Sequence, residues 1–199
     1  MEPGDVPEVG AIERLSFPTP WPSSSFLYEL GNNPRSSYHV LLRPKGSSAT
    51  RPRRGWQRWL HSVIDRLKGS RVIGYVGFRF QPEGVHVSTI AVHPDWRGKS
   101  LGELLLLTAM EKALDMGSSV VSLEVRASNR VAQRLYRKYG FRFTAVHRGY
   151  YRDGEDAWRM EAQADTRPYR DRLAALRQTL EARLHRPQTD VGQNSGDTL

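Results

Sequence analysis

Cysteine does not occur in the 199-residue chain. Its absence excludes a disulfide framework, cysteine-based zinc sites and a cysteine nucleophile. Long hydrophobic runs are also missing, since no apolar stretch approaches the roughly 20 residues that cross a bilayer. The first ten residues, MEPGDVPEVG, lack the basic and apolar pattern of a secretion signal. We therefore expect a cytoplasmic protein. The six histidines show no metal-ligand spacing, so we expect no metal site and interpret each histidine as structural or exposed.

Net charge is almost absent outside one segment. The chain carries a formal charge of +9, and residues 43–71 contain nine basic residues and one acidic residue, a net of +8. Such local basicity says more about a partner of that segment than about the chain as a whole. The composition, with 38% hydrophobic and 10% aromatic residues, supports one folded domain of about 150 residues with extensions.

The basic segment interrupts a predicted pair of strands. Alternation predicts strands at residues 38–42 and 72–80, which a short hairpin would normally join. Instead, a linker rich in serine, proline and arginine is followed by Trp56, Trp59 and further apolar residues at helical spacing. Two interpretations stay open. The segment is either a basic amphipathic helix that lies on the domain, or a surface for an anionic partner such as RNA, an acidic protein or a membrane.

A strand, a basic loop and a helix start follow one another in residues 85–105. β-Branched residues fill the strand, and Pro94 ends it because proline lacks an amide hydrogen. The loop carries Arg97, Lys99 and two glycines, and leucines at helical spacing begin at Leu101. Unpaired amides and the dipole at such a helix start favour an anion. Taken alone, the pattern also fits an ordinary strand–loop–helix junction.

The loop sequence RGKSLG resembles the pyrophosphate loop of the GCN5-related N-acetyltransferases, abbreviated GNAT. The resemblance implies that the loop amides hold the pyrophosphate of acetyl-CoA and that the preceding strand pairs with its pantetheine arm. The residues concerned are Ile90, Ala91, Val92, Arg97, Gly98, Lys99, Ser100, Leu101, Gly102 and Glu103. Ser100 replaces the first glycine of the family loop. A positive φ at this serine would be strained, whereas a helical φ would not.

The most specific stretch is LEVRASNRVAQRLYRKYGF at residues 123–141. It is similar over its whole length to the signature of RimI-type and N-terminal acetyltransferases, which belong to the same family. The hairpin HRGYYRDGEDAWRM at residues 147–160 and the segment from Phe17 to Trp21 resemble two further elements of these enzymes. The resemblance therefore covers about residues 5–163.

The resemblance implies three roles at the reacting atoms. Glu124 is the general base, acting through a water molecule, and Tyr136 is the general acid at the CoA sulfur, which makes it a cofactor contact as well. Asn129 contacts CoA. Each residue also has a structural interpretation: Glu124 as the partner of Arg126 or Arg134, Tyr136 as a core tyrosine, and Asn129 as a helix cap.

The resemblance also implies a peptide-binding surface. Tyr150 and Tyr151 would hold the backbone of the acceptor, and Phe17 and Trp21 would shape the pocket for its first residue. The alternative for the segment from Phe17 to Trp21 is a hydrophobic staple between two helices. Pro18 and Pro20 within it and Pro22 directly after it forbid a helix there.

The expected fold class is α/β (α+β): a GNAT fold with a mixed, mostly antiparallel central sheet flanked by helices, a basic helical insert and a C-terminal helix. We expect an acetyltransferase domain at residues 1–163, an amphipathic helix at residues 164–187 that docks on the domain or dimerises, and a disordered tail at residues 188–199. The first strand of the family has no counterpart here. Either it is lost or the true start lies upstream of Met1.

Capping residues and glycines set the expected boundaries of the elements. Helices are predicted to begin at Asp5, at Ser23 or Ser24, near Gly102, at Ser128 or Asn129, and at Thr166. Further strands are predicted at residues 119–125 and 141–146, and a hairpin turn at Asp153-Gly154.

The predicted function is the acetyl-CoA-dependent acetylation of a protein N-terminal amine, with a ribosomal-protein alanine as the most similar acceptor. Two alternatives differ in kind. The chain could acetylate a lysine or a small amine, or it could be a degenerate GNAT-fold binding module that docks on RNA through residues 43–71. The residues Glu124, Tyr136 and Asn129 favour catalysis, and Ser100 favours its loss.

Overall fold

The computed structural model describes residues 1–43 and 71–185. Its helices in this part of the chain are α1 (Val6–Ser16), α2 (Ser23–Asn32), α3 (Leu101–Asp115), α4 (Arg130–Lys138) and α5 (Arg167–His185). Its strands are β1 (Ser36–Leu42), β2 (Val72–Gln81), β3 (Gly84–Val92), β4 (Val120–Arg126), β5 (Arg142–His147) and β6 (Ala157–Gln163). Short 3₁₀ turns cover Pro3–Asp5 and Pro94–Trp96. None of the described helices is long and apolar enough to cross a membrane.

The six strands form one sheet in the order β1-β2-β3-β4-β6-β5. Every neighbouring pair is antiparallel except β3 and β4, which run parallel. The helix α3 connects these two parallel strands, as a parallel pair requires a long crossover. The expected mixed and mostly antiparallel sheet flanked by helices is therefore confirmed.

Two hydrophobic clusters cover the two faces of this sheet. The first core contains residues of α3, α4 and α5, including Leu106, Met110 and Leu180. The second core contains Val9 and Ile12 of α1 and Phe26 of α2, among others. Neighbouring residues of β2 belong to different clusters, Tyr75 to the second core and Val76 to the first. Because successive side chains of a strand point to opposite faces, α1 and α2 cover one face and the other helices cover the opposite one.

Two details of the first helices differ from expectation. The apolar residues Val6, Val9, Ile12 and Leu15 predict one stripe on α1, but Leu15 is 46% exposed. Leu15 lies nine residues after Val6. Because an α-helix repeats every 3.6 residues, Leu15 therefore lies on nearly the opposite side of the helix from Val6. The second helix begins at Ser23 with the extended Pro22 at the N-cap position and no side-chain capping bond, so neither Ser23 nor Ser24 caps it.

The basic insert leaves the sheet from a closed hairpin. Strands β1 and β2 pair antiparallel up to Leu42 and Val72, and the amide of Arg43 donates to the carbonyl of Arg71 at 2.7 Å. The two ends of the insert are therefore held side by side. The expected linker and amphipathic helix fall on residues 44–70, and the expected tail falls on residues 186–199. Both lie outside the described residues.

The C-terminal helix α5 lies against the first core. It begins one residue after Thr166, whose Oγ1 accepts a hydrogen bond from the amide of Tyr169 at 3.3 Å. Leu173 and Leu180 of its apolar stripe are buried in the first core. Leu184, at the end of the stripe, is 36% exposed.

Candidate active site

A fork opens in the middle of the sheet where β3 and β4 separate. Their parallel pairing covers only Val85–Val87 and Val121–Leu123, although both strands continue beyond these residues. Residues 88–92 of β3 and residues 124–126 of β4 are not paired with each other. An extended ligand that enters this fork can pair with the free backbone edge of β3, as an added strand does.

The backbone direction of β3 decides which residues face the fork. The amide of His93 donates to the carbonyl of Ile73 at 2.9 Å, so His93 points towards β2. Backbone groups alternate along a strand, so Ala91 also points towards β2, whereas Ile90 and Val92 point towards the fork. The carbonyl of Val92 accepts a hydrogen bond from Nε of Arg97 at 3.1 Å. Ile90 therefore supplies most of the backbone groups on this edge of β3 that are free to pair with a ligand.

Glu124 lies where β4 enters the fork, with its side chain only 8% exposed. One carboxylate oxygen lies 3.2 Å from Nε2 of His86 on β3, and the other lies 3.5 Å from Nη1 of Arg159 on β6. The remaining ring nitrogen of His86 lies 3.1 Å from the hydroxyl of Ser122. Burial lowers the pKa of His86, although the negative charge of Glu124 opposes this effect. A neutral ring with its proton on Nε2 satisfies both contacts.

Tyr136 lies on α4, 6% exposed and next to Phe141. Burial, together with the proximity of Tyr151, raises the pKa of Tyr136 above its usual value. Its hydroxyl therefore keeps its proton at neutral pH and can donate it. No hydrogen bond joins this hydroxyl to another of the described residues, so it is available to a ligand.

The loop before α3 has an open helix start. Gly98 and Ser100 both have positive φ, 76° and 60°. Ser100 is the N-cap residue and makes no side-chain capping bond. The first intrahelical bond runs from the amide of Leu104 to the carbonyl of Ser100 at 3.1 Å, so the three preceding amides have no acceptor four residues back. These amides can hold an anion.

The turn before α4 has a closed helix start. Oδ1 of Asn129 accepts a hydrogen bond from the amide of Ala132 at 3.1 Å, so Asn129 is the cap and Ser128 is not. Gln133 is fully buried, and its Nε2 donates to the carbonyls of Arg126 and Ala127 at 3.0 Å each. The amide side of Asn129 remains free to contact a ligand, since no described residue accepts from it.

The loop between β5 and β6, residues 148–156, is tied to this turn. Arg126 forms ion pairs with Asp153 and Glu155 and lies over the ring of Tyr151, 4.0 Å from its centre. Hydrogen bonds from Ser128 and from Arg126 lower the pKa of Glu155 to about 2. The amide of Gly154 donates to the carbonyl of Tyr151 at 2.8 Å, so the central residues of the turn are Arg152 and Asp153, one position before the expected Asp153-Gly154.

Tyr150 and Tyr151 meet edge to face, with ring centres 5.2 Å apart. Tyr150 is 51% exposed, and burial of the rest of the residue together with the Glu124 carboxylate raises its pKa. Burial raises the pKa of Tyr151 to about 12. The charge of Glu124 acts on both rings, so this tyrosine pair lies on the Glu124 side of the fork.

The segment between α1 and α2 lies over the second core. Phe17 and Trp21 are half-buried against it, and the rings of Trp21 and Phe26 are 5.8 Å apart. Glu13 lies below this segment, 2% exposed, close to Tyr75 and to the backbone of Trp21. Its Oε2 has no hydrogen-bond partner. Burial raises the pKa of Glu13 to about 7.

Comparison with known proteins gives one answer at the level of the family. The model of the acetyltransferase (GNAT) family matches residues 7–141. The chain is 34% identical over 154 residues to a Bacillus subtilis (strain 168) protein with the provisional name ribosomal protein bS18-alanine N-acetyltransferase, covering 77% of this chain and 85% of that protein. It is 31% identical over 159 residues to an N-alpha-acetyltransferase of Sulfurisphaera tokodaii, with 79% and 87% covered. The chain belongs to the GNAT family.

A solved structure agrees with this assignment. The ribosomal-protein-S18-alanine N-acetyltransferase of Escherichia coli superposes with a TM-score of 0.65 at 25% identity, and the match covers 83% of this chain and 92% of that one. This GNAT protein is therefore an N-acetyltransferase, and the expected fold and enzyme class are confirmed.

The GNAT fold brings the expected site residues together in two groups. Glu124 lies at the fork with Tyr150 and Tyr151 near it, Tyr136 lies near Tyr151, and Asn129 begins α4. The residues of the loop from Arg97 to Glu103 form the second group, at the start of α3. Phe17 and Trp21 belong to the second core instead, and a hydrogen bond from Arg97 to the hydroxyl of Ser16 at 2.9 Å connects the end of α1, just before their segment, to the loop.

Two side chains of the GNAT loop form contacts within the protein. The guanidinium of Arg97 is bonded to Val92 and Ser16. The carboxylate of Glu103 is buried and accepts hydrogen bonds from Lys138, Tyr139 and Arg183. A carboxylate would repel a phosphate. Any contact of Glu103 with an anion is therefore made by its backbone amide.

Sequence reasoning missed four residues of this GNAT site. His86 and Arg159 are the direct partners of Glu124, Gln133 closes the turn before α4, and Glu13 is the buried carboxylate of α1. The interpretation of His86 as a lone structural histidine overlooked one signal. Once β3 and β4 are recognised as neighbouring parallel strands, a histidine near the end of their pairing and a glutamate just beyond it lie on adjacent strands.

Proposed function

We propose that this GNAT enzyme transfers the acetyl group of acetyl-CoA to the N-terminal α-amine of a protein, and that an alanine of a ribosomal protein is its acceptor. The donor is the one used throughout the family. The acceptor is suggested by the names of the Bacillus subtilis relative and of the Escherichia coli structure.

The observation that supports the proposal best is that two proton-transfer groups both lie close to Tyr151. Glu124, at the fork, can accept a proton, and Tyr136, kept protonated by burial, can donate one. An amine that attacks a thioester must lose a proton, and the departing thiolate must gain one. In this proposal the extended arm of the donor enters the fork along Ile90.

In the proposed mechanism the residues act in sequence. Glu124 removes a proton from the α-ammonium through one water molecule, while His86 and Arg159 hold its two oxygens in place. The free amine attacks the acetyl carbonyl carbon, and the tetrahedral intermediate collapses with cleavage of the carbon–sulfur bond. After the attack the nitrogen gives its second proton to solvent, and the leaving thiolate takes the proton of Tyr136. Tyr136 then regains a proton from solvent, and Glu124 releases to solvent the proton that it accepted. The open amides at the start of α3 hold the pyrophosphate throughout.

The tyrosine pair supports a peptide acceptor. Tyr150 exposes half of its surface beside Glu124, and the loop that carries it is fixed to the turn before α4 by Arg126 and Glu155. A rigid aromatic surface next to the general base can orient a main chain. Phe17 and Trp21 would then border the first side chain. The binding-module alternative is disfavoured, because a protein that only docks on RNA does not require a fixed aromatic surface beside a general base.

The decisive experiment is an acceptor panel with acetyl-CoA. It includes a peptide that begins with the N-terminal alanine of a ribosomal protein, the same peptide with a blocked α-amine and an internal lysine, and a small amine. We expect acetylation of the free α-amine alone, located by mass spectrometry. Acetylation of the blocked peptide or of the small amine would point to the lysine or small-amine alternative. The absence of turnover with every acceptor, despite CoA binding, would point to the binding module.

A further inference from the structure

The helix α5 lies outside the part of the chain that matches the GNAT family, yet its position on the domain is fixed. The family match ends at residue 141, and α5 covers Arg167–His185. The hydroxyl of Tyr169 donates to the carbonyl of Tyr139 at 2.8 Å, and Arg172 donates to the carbonyl of Lys138 at 2.9 Å. Arg177 forms an ion pair with Glu111 of α3. These contacts hold α5 along α3.

The last turn of α5 brings a guanidinium to the loop. Nη2 of Arg183 donates to Oε2 of Glu103 at 2.7 Å, and Nη1 lies 3.4 Å from the hydroxyl of Ser100, the residue that begins α3. The side chain of Arg183 is 41% exposed. A guanidinium has five N–H donors, so most of them remain available beside the open amides.

The cations around Glu103 carry more positive charge than its carboxylate neutralises. Lys138 already forms an ion pair with it and Tyr139 donates a hydrogen bond to the same oxygen, so Arg183 adds a second cation. Lys99 is a third cation of the same loop, lying over the ring of Trp96 at 4.7 Å. Two cations thus pair with one carboxylate, and a third cation lies in the same loop. The surplus positive charge borders the amides that can hold an anion, and it attracts phosphate groups.

Arg183 is also accessible from the ligand side. A cleft of about 480 Å³ is bordered by Gly98, Lys99 and Ser100 of the loop and by Arg183 and Leu184 of α5, with Trp96 and apolar residues of β1 and β2 as further walls. An anion seated on the loop amides therefore meets the guanidinium directly, without any movement of α5.

We propose that Arg183 binds a phosphate of the nucleotide end of acetyl-CoA, so that the C-terminal helix α5 completes the cofactor site of this enzyme. Glu103 orients the guanidinium, and Ser100 supports it from the loop. The inference rests on the proposed function for the identity of the donor. A simpler role for Arg183, interaction with the C-terminal dipole of its own helix, predicts no effect on cofactor affinity.

The test compares Arg183→Ala with Arg170→Ala, which removes one positive charge from an exposed position of the same helix. Calorimetry without any acceptor measures the Kd of CoA for both full-length proteins. We expect Arg183→Ala to weaken CoA binding about tenfold, the loss typical of one charge-assisted hydrogen bond. Arg183→Lys should fall between this variant and the parent, and Arg170→Ala should bind like the parent. The melting temperature without ligand should stay close to that of the parent, because Lys138 and Tyr139 still pair with Glu103.

Two truncated ligands separate phosphate binding from a structural effect. Acetyl-pantetheine lacks all nucleotide phosphates, so its kcat/KM as acetyl donor should be the same in Arg183→Ala and the parent. 3′-Dephospho-CoA shows which phosphate is involved. If Arg183 holds the 3′-phosphate, Arg183→Ala and the parent should bind 3′-dephospho-CoA with the same Kd. An equal loss with acetyl-pantetheine, or a CoA affinity within twofold of the parent, overturns the proposal. Failure of the acceptor panel leaves the calorimetry with CoA and 3′-dephospho-CoA intact, because neither measurement needs an acceptor, whereas a parent protein that binds no CoA refutes both proposals.

Discussion

The two sides of the site satisfy their polar groups in different ways. On the fork side, Asn129 caps α4, Gln133 bonds two carbonyls, and both oxygens of Glu124 have partners. On the loop side, Ser100 begins α3 in a left-handed conformation without a capping bond. On the fork side the general base and the turn before α4 are therefore fixed by partners within the protein, whereas on the loop side the first amides of α3 have no acceptor within the helix.

This difference teaches where the ligand contributes energy. Groups that must be in place when the proton moves are held by the protein before the ligand arrives, which avoids reorganisation during the reaction. Groups that bind a phosphate can stay exposed to water until the phosphate replaces it. The strain of a non-glycine residue in a left-handed conformation, about 1–2 kcal/mol, falls on the loop side. Variants of the two sides should therefore affect different quantities.

The largest expected effect concerns the fork side. Glu124→Gln removes proton acceptance while keeping the shape of the side chain, so kcat should fall by roughly 10²–10⁴-fold. The Kd of CoA should stay within about twofold, because the loop side is untouched. Steady-state kinetics with an N-terminal peptide and calorimetry with CoA give the two numbers. Tyr136→Phe is the matched variant at the leaving group and should also lower kcat. Full activity of either variant at neutral pH means that its role was assigned wrongly.

A third region extends the comparison to a carboxylate without a cation. Glu13 and Glu103 are both buried, at 2% and 7% exposure. Burial raises the pKa of Glu13 to about 7. Burial alone would also raise the pKa of Glu103, but hydrogen bonds from Lys138, Arg183 and Tyr139 bring it below its usual value. The partners of a buried carboxylate, rather than the burial itself, therefore decide its charge.

Glu13 should make the folded protein less stable as the pH rises. The folded protein holds this proton up to about pH 7, whereas the unfolded chain releases it near the ordinary pKa of 4.5. Its contribution is therefore full below about pH 4.5 and is lost by pH 7 to 8, a change of about 3 kcal/mol. The side chain in Glu13→Gln stays neutral at every pH. The difference in the free energy of unfolding, parent minus variant, should therefore fall by about this amount as the pH rises. Urea unfolding at pH 5 and pH 8 measures it. A difference that does not change with pH contradicts the raised pKa.

Much of the fork side could be predicted from the sequence, because its residues lie close together along the chain. The stretch from Glu124 to Tyr136 contains a strand, a capped turn and a helix, and local patterns define all three. His86 and Arg159 could not be found in this way, since they come from strands far apart in sequence. The sign of φ at Ser100 could not be predicted either, because the sequence allowed a helical φ as well as a strained positive one. The contact between Arg183 and Glu103 joins residues 80 positions apart, and no sequence pattern indicated it.

A smaller effect is expected on the loop side. Ser100 has a φ of 60°, which a glycine adopts without strain. Ser100→Gly should therefore raise the free energy of unfolding by about 0.5–1 kcal/mol, after the higher entropy of glycine in the unfolded chain is subtracted. CoA binding should be at least as tight as in the parent. Ser100→Ala is the control, because it keeps the β-carbon and should gain nothing. A destabilised glycine variant would show that the hydroxyl of Ser100 is worth more than the strain.

The smallest effect should come from removing the basic insert, if it serves only an anionic partner. Strands β1 and β2 already meet at Leu42 and Val72, and the backbone bond from Arg43 to Arg71 holds the two ends together. A short turn in place of residues 45–68 should therefore leave the hairpin closed. Acetylation of a free peptide should be nearly unchanged, whereas acetylation of the intact physiological acceptor should slow. In the parent protein that second reaction should weaken steeply with salt, because each neutralised phosphate releases counterions. Unfolding of the shortened protein would show instead that the insert is part of the core, and equal rates on both acceptors would exclude a role in recognition.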